Sequence, residues 1–176
     1  MQRMGPSRSL RSSTVALTAA LLFMVSIVNP YVYHAAQILF AVIFTVGILI
    51  VDAFGCATLI ALIGGLLHSF TSIIGPLVLP SWLVRGTVAD VLLKALRVYG
   101  SHPHPTLKVA VAMTASSLIT GIFHYVVIVK GLGLIPEPPF PLLLAIFAVA
   151  SSSTFAGSLI AVKVVNRLGR TLRWYT

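Results

Sequence analysis

Apolar residues run along this chain in six long stretches, each separated from the next by a short polar or turn-forming segment. The stretches cover 12–28, 35–51, 54–74, 77–98, 107–129 and 140–165. A helix needs about 20 apolar residues, with a range of roughly 17 to 25, to cross the hydrocarbon of a bilayer. The pattern therefore predicts six transmembrane helices. Turn chemistry marks the breaks: Asn29-Pro30, Gly75-Pro76, the run from Gly100 to Pro105, and the proline-rich run from Gly131 to Pro141. The shortest connection passes through Asp52. No connection has room for a soluble domain, and no internal repeat is visible, so 1–176 reads as a single membrane domain. The fourth stretch also admits another reading. Asp90, Lys94 and Arg97 share one helical face at i, i+4, i+7 spacing, as in a helix lying along the interface, which would leave five spans.

Composition agrees with the pattern. The chain is 58% hydrophobic and 9% charged, with a mean hydropathy of +1.03, where a soluble domain carries about 25% charged residues. The fold class that follows is an all-α integral membrane protein. Charge then adds orientation. Twelve lysines and arginines face only three acidic residues, Asp52, Asp90 and Glu137, and the basic ones gather at the two ends. Arg3, Arg8 and Arg11 precede the first apolar run; Lys163, Arg167, Arg170 and Arg173 follow the last. Cytoplasmic flanks collect Lys and Arg, so both termini are expected inside and the number of crossings even. The segments 29–34, 75–80 and 131–139 then face outward, leaving only Arg85 and Lys130 of the twelve basic residues on the outer side. The start resembles a signal peptide, but its apolar run leads into Asn29-Pro30-Tyr31 instead of a small-residue cleavage site, so it is expected to remain as the first helix. Basic residues at segment ends fit contact with the lipid bilayer's anionic headgroups and give no footprint for nucleic acid.

Chemistry-bearing motifs are few. The chain has no G-x-x-x-x-G-K-[ST] loop, no H-E-x-x-H, no G-x-S-x-G and no aspartate cluster for magnesium, so binding or transport is expected, with no enzyme activity. Cys56 is the only cysteine, which rules out an internal disulfide and a thiolate metal cluster. No cofactor and no metal ligand set are expected, and the spacing of His102-Pro103-His104 argues against a metal site there. Ionisable groups at membrane depth are costly and therefore functional candidates. His68, Arg85, Asp90 and His124 qualify. With Asn29, Tyr31, Tyr33, His34 and Gln37 at the first outer segment, Trp82 at the outer end of the fourth helix, and Tyr125 beside His124, they are expected to surround a small polar ligand entering from outside. Arg85 then pairs its carboxylate or phosphate. Simpler roles exist for each: an Asp90–Lys94 pair along one helix, interfacial belt positions for Tyr31, Tyr33 and Trp82, histidines satisfying polar neighbours, and Ser151–Thr154 bonding to their own backbone. Small residues mark helix faces at Ala16 and Ala20, with Ala19 widening the first, at Gly64-Gly65 and at Ala156-Gly157. They serve close packing within the chain or docking of a partner helix.

Taken together, Ala16-Leu17-Thr18-Ala19-Ala20 after Arg11-Ser12-Ser13, the glycine-bearing third segment from Phe54-Gly55 to Gly64-Gly65-Leu66-Leu67, and Phe155-Ala156-Gly157-Ser158-Leu159-Ile160 leading to the basic tail resemble the substrate-binding subunit, or S-component, of energy-coupling factor (ECF) vitamin transporters. The resemblance implies six helices with cytoplasmic termini in a prokaryotic plasma membrane, and capture of a small water-soluble vitamin or precursor without catalysis. It implies partners too: a transmembrane coupling subunit, docked on the Ala16/Ala20 face, and two ATPase subunits. The ligand would lie under the first outer loop, among Asn29, Tyr31, Tyr33, His34, Trp82, Arg85, Asp90, His124 and Tyr125. Two rivals use other features: a haem-binding redox subunit with His68 and His124 as axial ligands, and a membrane assembly subunit built on the small-residue faces.

Overall fold

The computed structural model describes residues 8–29, 36–133 and 136–171. The described residues are helical apart from short turns and loops, with no strand among them. Six helices follow in chain order: α1 (Arg8–Val28), α2 (Gln37–Val51), α3 (Cys56–Ser69), α4 (Leu79–Ala95), α5 (Thr106–Phe123) and α6 (Phe140–Thr171). A 3-10 turn, Gly75–Val78, leads into α4, and a π-helical segment, His124–Gly131, prolongs α5.

Four helices are long and apolar enough to cross a membrane: Ser9–Val28, Gly75–Ala95, Thr106–Gly131 and Phe140–Arg170. The chain is thus a multi-pass membrane protein, and the fourth stretch is among its candidate spans. α2 and α3 are shorter, at 15 and 14 residues, or about 22 Å at 1.5 Å per residue. α3 stops five residues before the end of its apolar stretch for a local reason. Ser69 and Thr71 hydroxyls donate to the carbonyls of Gly65 and His68 at 2.8 and 3.2 Å, and the Ser72 N–H also bonds the His68 carbonyl. Polar side chains thus take over carbonyls at the helix end. α6 runs beyond its apolar stretch through the basic segment to Thr171.

The helices pack as a closed ring in the order α1, α2, α6, α5, α4, α3, with α3 returning to α1. Close approach between neighbours depends on small residues. A Cβ at Gly47 of α2 would lie 2.4 Å from the Thr18 hydroxyl of α1. One at Gly86 of α4 would lie 2.7 Å from the Ala57 carbonyl of α3, and one at Gly157 of α6 would lie 2.8 Å from the Ile38 carbonyl of α2. Phe44, Ile48, Ile60, Leu93, Val109, Met113 and Val162 fill the centre and are almost fully buried. Leu17, Met24, Leu59, Val91, Ile122 and Leu144 point outward and are exposed, the arrangement expected where lipid is the solvent.

The four residues 52–55 reverse the chain between α2 and α3, with Asp52 and Gly55 in the left-handed region at φ 46° and 90°. One end of the bundle gathers this turn, the 96–105 loop and the C-terminal end of α6. The other gathers 70–78, 124–133 and 136–139. α1 and α2 are packed neighbours joined by only the eight residues between Val28 and Gln37. So short a connection makes neighbouring helices antiparallel, and α1 therefore also begins at the Asp52 end.

Candidate functional site

α4 contributes four polar or amphipathic side chains to the bundle, Ser81, Trp82, Arg85 and Asp90, on different faces of the helix. At 1.5 Å per residue Asp90 lies about 13 Å from Ser81 along the axis, so the two belong to different ends.

At the Ser81 end four helices converge. Ser81 Oγ lies 3.0 Å from His124 Nδ1, where the π-helical segment begins. The Trp82 ring sits on Gly64 and Gly65 of α3, where added Cβ atoms would come within 2.7 and 3.0 Å of it. It also meets the Phe40 ring edge-on at 5.4 Å and the His68 ring at 5.9 Å. Gly64-Gly65 is therefore a seat for an aromatic side chain. One turn deeper, Arg85 reaches across the ring to α2, its guanidinium carbon 4.6 Å from the Phe40 ring centre and 5.8 Å from that of Phe44. Its Nε and Nη2 are buried without a hydrogen-bond partner among the described residues. Aromatic faces attract a cation, but they do not accept the directed hydrogen bonds that a guanidinium donates.

Hydroxyl pairs tie the helices around this cluster. Ser116 Oγ of α5 donates to the Arg85 carbonyl at 2.8 Å. Thr154 of α6 meets Ser117 of α5 at 3.2 Å, and Ser158 of α6 meets Thr45 of α2 at 3.3 Å. The Ser151, Ser152 and Thr154 hydroxyls also bond back to carbonyls of α6 at 2.6 to 2.8 Å, as their sequence position suggested.

The expected ligand-binding residues thus divide. Trp82, Arg85 and His124 come together, joined by His68, Ser81 and Phe40. Asn29 lies at the end of α1, while Tyr31, Tyr33 and His34 lie outside the described residues. Tyr125 turns away to the connection between α5 and α6, where its hydroxyl donates to Glu137 and Lys130 lies 3.5 Å from the same carboxylate. The hydrogen bond from Tyr125 holds the Glu137 carboxyl below its usual range.

Asp90 is at the opposite end and pairs with α3 rather than with Lys94. Its carboxylate accepts the backbone N–H groups of Ala57 and Thr58 at 3.3 and 2.8 Å, the Thr58 hydroxyl at 2.6 Å and the Tyr99 hydroxyl at 2.5 Å. α3 starts after Gly55, with no side-chain cap of its own, and Asp90 supplies one from another helix. An anion at a helix N-terminus satisfies its free N–H groups and its dipole. Burial holds the Tyr99 hydroxyl protonated, well above its ordinary pKa, so it remains a donor. Lys94 instead lies 4.4 Å from the Phe54 ring centre. Asp52 is occupied nearby by the Gly100 N–H at 3.0 Å and by His102 Nε2 at 3.1 Å.

Ala16 and Ala20 are exposed on α1, beside Leu17 and Met24. Ala19 is not part of that face; it is fully buried in the core. α4 stands between α3 and α5, and it is α4 that each imidazole of the haem reading meets, His68 through Trp82 and His124 through Ser81. No group of three metal-ligating side chains occurs among the described residues.

Sequence reasoning passed over Phe40 and Ser81, which look like ordinary span residues until the ring closes. It also passed over a cleft of about 380 Å3 at the Asp52 end, lined by Thr106, Lys163, Asn166, Arg167 and Arg170. The i, i+3, i+4, i+7 spacing of the α6 residues was its visible signal. Comparison with protein-family models, curated proteins and solved structures gives no match to this chain.

Proposed function

We propose that this chain is the substrate-capture subunit of an ECF-type importer, holding a small anionic vitamin or precursor between α2, α4 and the start of the π-helical segment. In this reading all six helices cross the plasma membrane and both termini are cytoplasmic. The Ser81/His124 end faces outward, and the exposed Ala16/Ala20 face docks on a membrane coupling subunit served by two ATPases.

One observation carries the reading: Arg85 has two guanidinium nitrogens buried among aromatic rings without a hydrogen-bond partner among the described residues. An ion removed from water without a partner costs several kcal/mol, and such a cation at membrane depth marks a ligand or ion site. A carboxylate or phosphate on a ligand would satisfy both nitrogens at once, as guanidinium geometry favours. Trp82 and Phe40 would pack against the ligand's apolar part, and His124 and Ser81 would bond its polar groups. The apolar surroundings strengthen each of these contacts.

The test is mass spectrometry of small molecules released from the purified protein, followed by titration of the one identified. Arg85→Gln should weaken its binding by at least about tenfold, the equivalent of ~1.4 kcal/mol. Ala16→Leu/Ala20→Leu should abolish uptake and leave affinity intact. Release of no ligand, or of haem with a Soret band, would count for the assembly or redox reading instead.

A further inference from the structure

The cleft at the Asp52 end lies apart from the Arg85 cluster and shares no residue with it. Lys163, Asn166, Arg167 and Arg170 fall on one face of α6, so three cations project along a single stripe. Asn166 forms the fixed part of the wall: its Oδ1 accepts the His104 N–H at 2.9 Å and its Nδ2 donates to the His104 carbonyl at 3.0 Å. That pair locks the 96–105 loop to α6 and sets the start of α5 against the basic stripe. Thr106 opens α5, whose first intrahelical bond is Val109 N–H to the Pro105 carbonyl at 3.1 Å. The N–H groups before it have no carbonyl a turn earlier to bond.

Charge balance points the same way. The chain has only three acidic side chains, and each is engaged elsewhere: Asp52 with Gly100 and His102, Asp90 at the start of α3, Glu137 with Tyr125 and Lys130. Among the described residues no acidic side chain lines the cleft, whose walls are positive and carry an amide and a hydroxyl besides. Chemistry of this kind recognises a phosphate group, and a basic recess at the end of long apolar helices lies at the depth of lipid headgroups.

We propose that this cleft binds a phosphate group, presented by an anionic lipid headgroup or by a soluble phosphorylated solute. Two arms separate the sources. The purified full-length protein is placed in nanodiscs of phosphatidylcholine with or without phosphatidylglycerol, and bound lipid is counted by native mass spectrometry. Separately, inorganic phosphate is titrated against the protein in phosphatidylcholine alone, with the melting temperature as readout. The variants are Lys163→Gln/Arg170→Gln and, as an equal loss of charge outside the cleft, Lys94→Gln/Lys130→Gln. Lys163 and Arg170 are exposed, so their replacement should leave the fold intact, which the variant's own melting temperature in phosphatidylcholine verifies.

Selective retention of phosphatidylglycerol, weakened about thirtyfold by the cleft variant and unchanged by the other, assigns the site to a lipid. A phosphate-dependent rise in melting temperature, lost only in the cleft variant, assigns it to a soluble phosphate. Equal losses in both variants would show a general charge effect and overturn the proposal, as would the absence of both responses in the wild type.

Discussion

His104 shows what a single side chain does in the loop that closes the Asp52 end. Its side chain is almost wholly buried, while its backbone N–H and carbonyl hold Asn166. Burial pushes its pKa below the ordinary histidine value, opposed in part by Asp52. The neutral form is thus favoured in the folded state, and the unfolded chain binds the proton more readily. Stability is then fully present above an unfolded pKa of about 6.5 and is lost as pH falls through the folded value. The melting temperature should drop between pH 7.5 and pH 5, and His104→Gln should flatten part of that drop while keeping both backbone bonds to Asn166. Thermal unfolding of the two proteins across that range measures it; identical slopes would show that His104 contributes nothing. Asp90 makes a related point. Its sequence neighbours offered Lys94 as a partner, whereas the fold offers the uncapped start of α3, where free N–H groups bind the carboxylate directly.

Among elements, the two classes of small residue behave differently, and position in the ring decides which is which. Gly86 faces α3 so closely that a Cβ would meet backbone atoms at 2.7 Å. Backbone cannot rotate aside as a side-chain tip can, so Gly86→Leu must part α3 from α4. A loss of roughly 1–3 kcal/mol or more is expected, typical of overpacking. Ala16 is exposed on α1, and Ala16→Leu should leave the melting temperature within about 0.5 kcal/mol equivalent of the parent. Melting both variants in the same detergent checks the pair, and comparable losses would place Ala16 inside the packing. The boundaries of the apolar stretches were close to the helix boundaries for α1 and α2. They missed at α3 because Ser69, Thr71 and Ser72 end the helix through hydroxyl and turn bonds that a hydropathy pattern does not register.

The described residues form a ring of six helices with a filled centre, and both of their chain ends lie at its Asp52 end. That geometry makes a topological prediction. In a Cys56→Ser background, Ser9→Cys and Ser101→Cys should react with a membrane-impermeant thiol reagent from the same side, and Glu137→Cys from the other. Labelling of 9 and 101 from opposite sides would be incompatible with a bundle inserted as a unit. In the ring the Arg85 and His124 cluster lies toward one end, and the basic cleft lies at the other.

Composition and period, which are properties of the chain read in order, were enough to determine that this is an all-helical, multi-pass membrane protein. Lipid admits only backbones that satisfy their own hydrogen bonds, and in a helix those bonds are local. Sequence also named Trp82, Arg85 and His124, because an ionisable or amphipathic side chain within an apolar run is conspicuous before folding. Only the tertiary structure decided which of the candidates meet. The closing of α2 against α6, and of α3 against both α1 and α4, brings Phe40 beneath Arg85, sends Asp90 to the start of α3 and leaves Tyr125 with Glu137. Those pairings join residues from distant parts of the chain, and packing between helix faces selects them in a way no local pattern encodes.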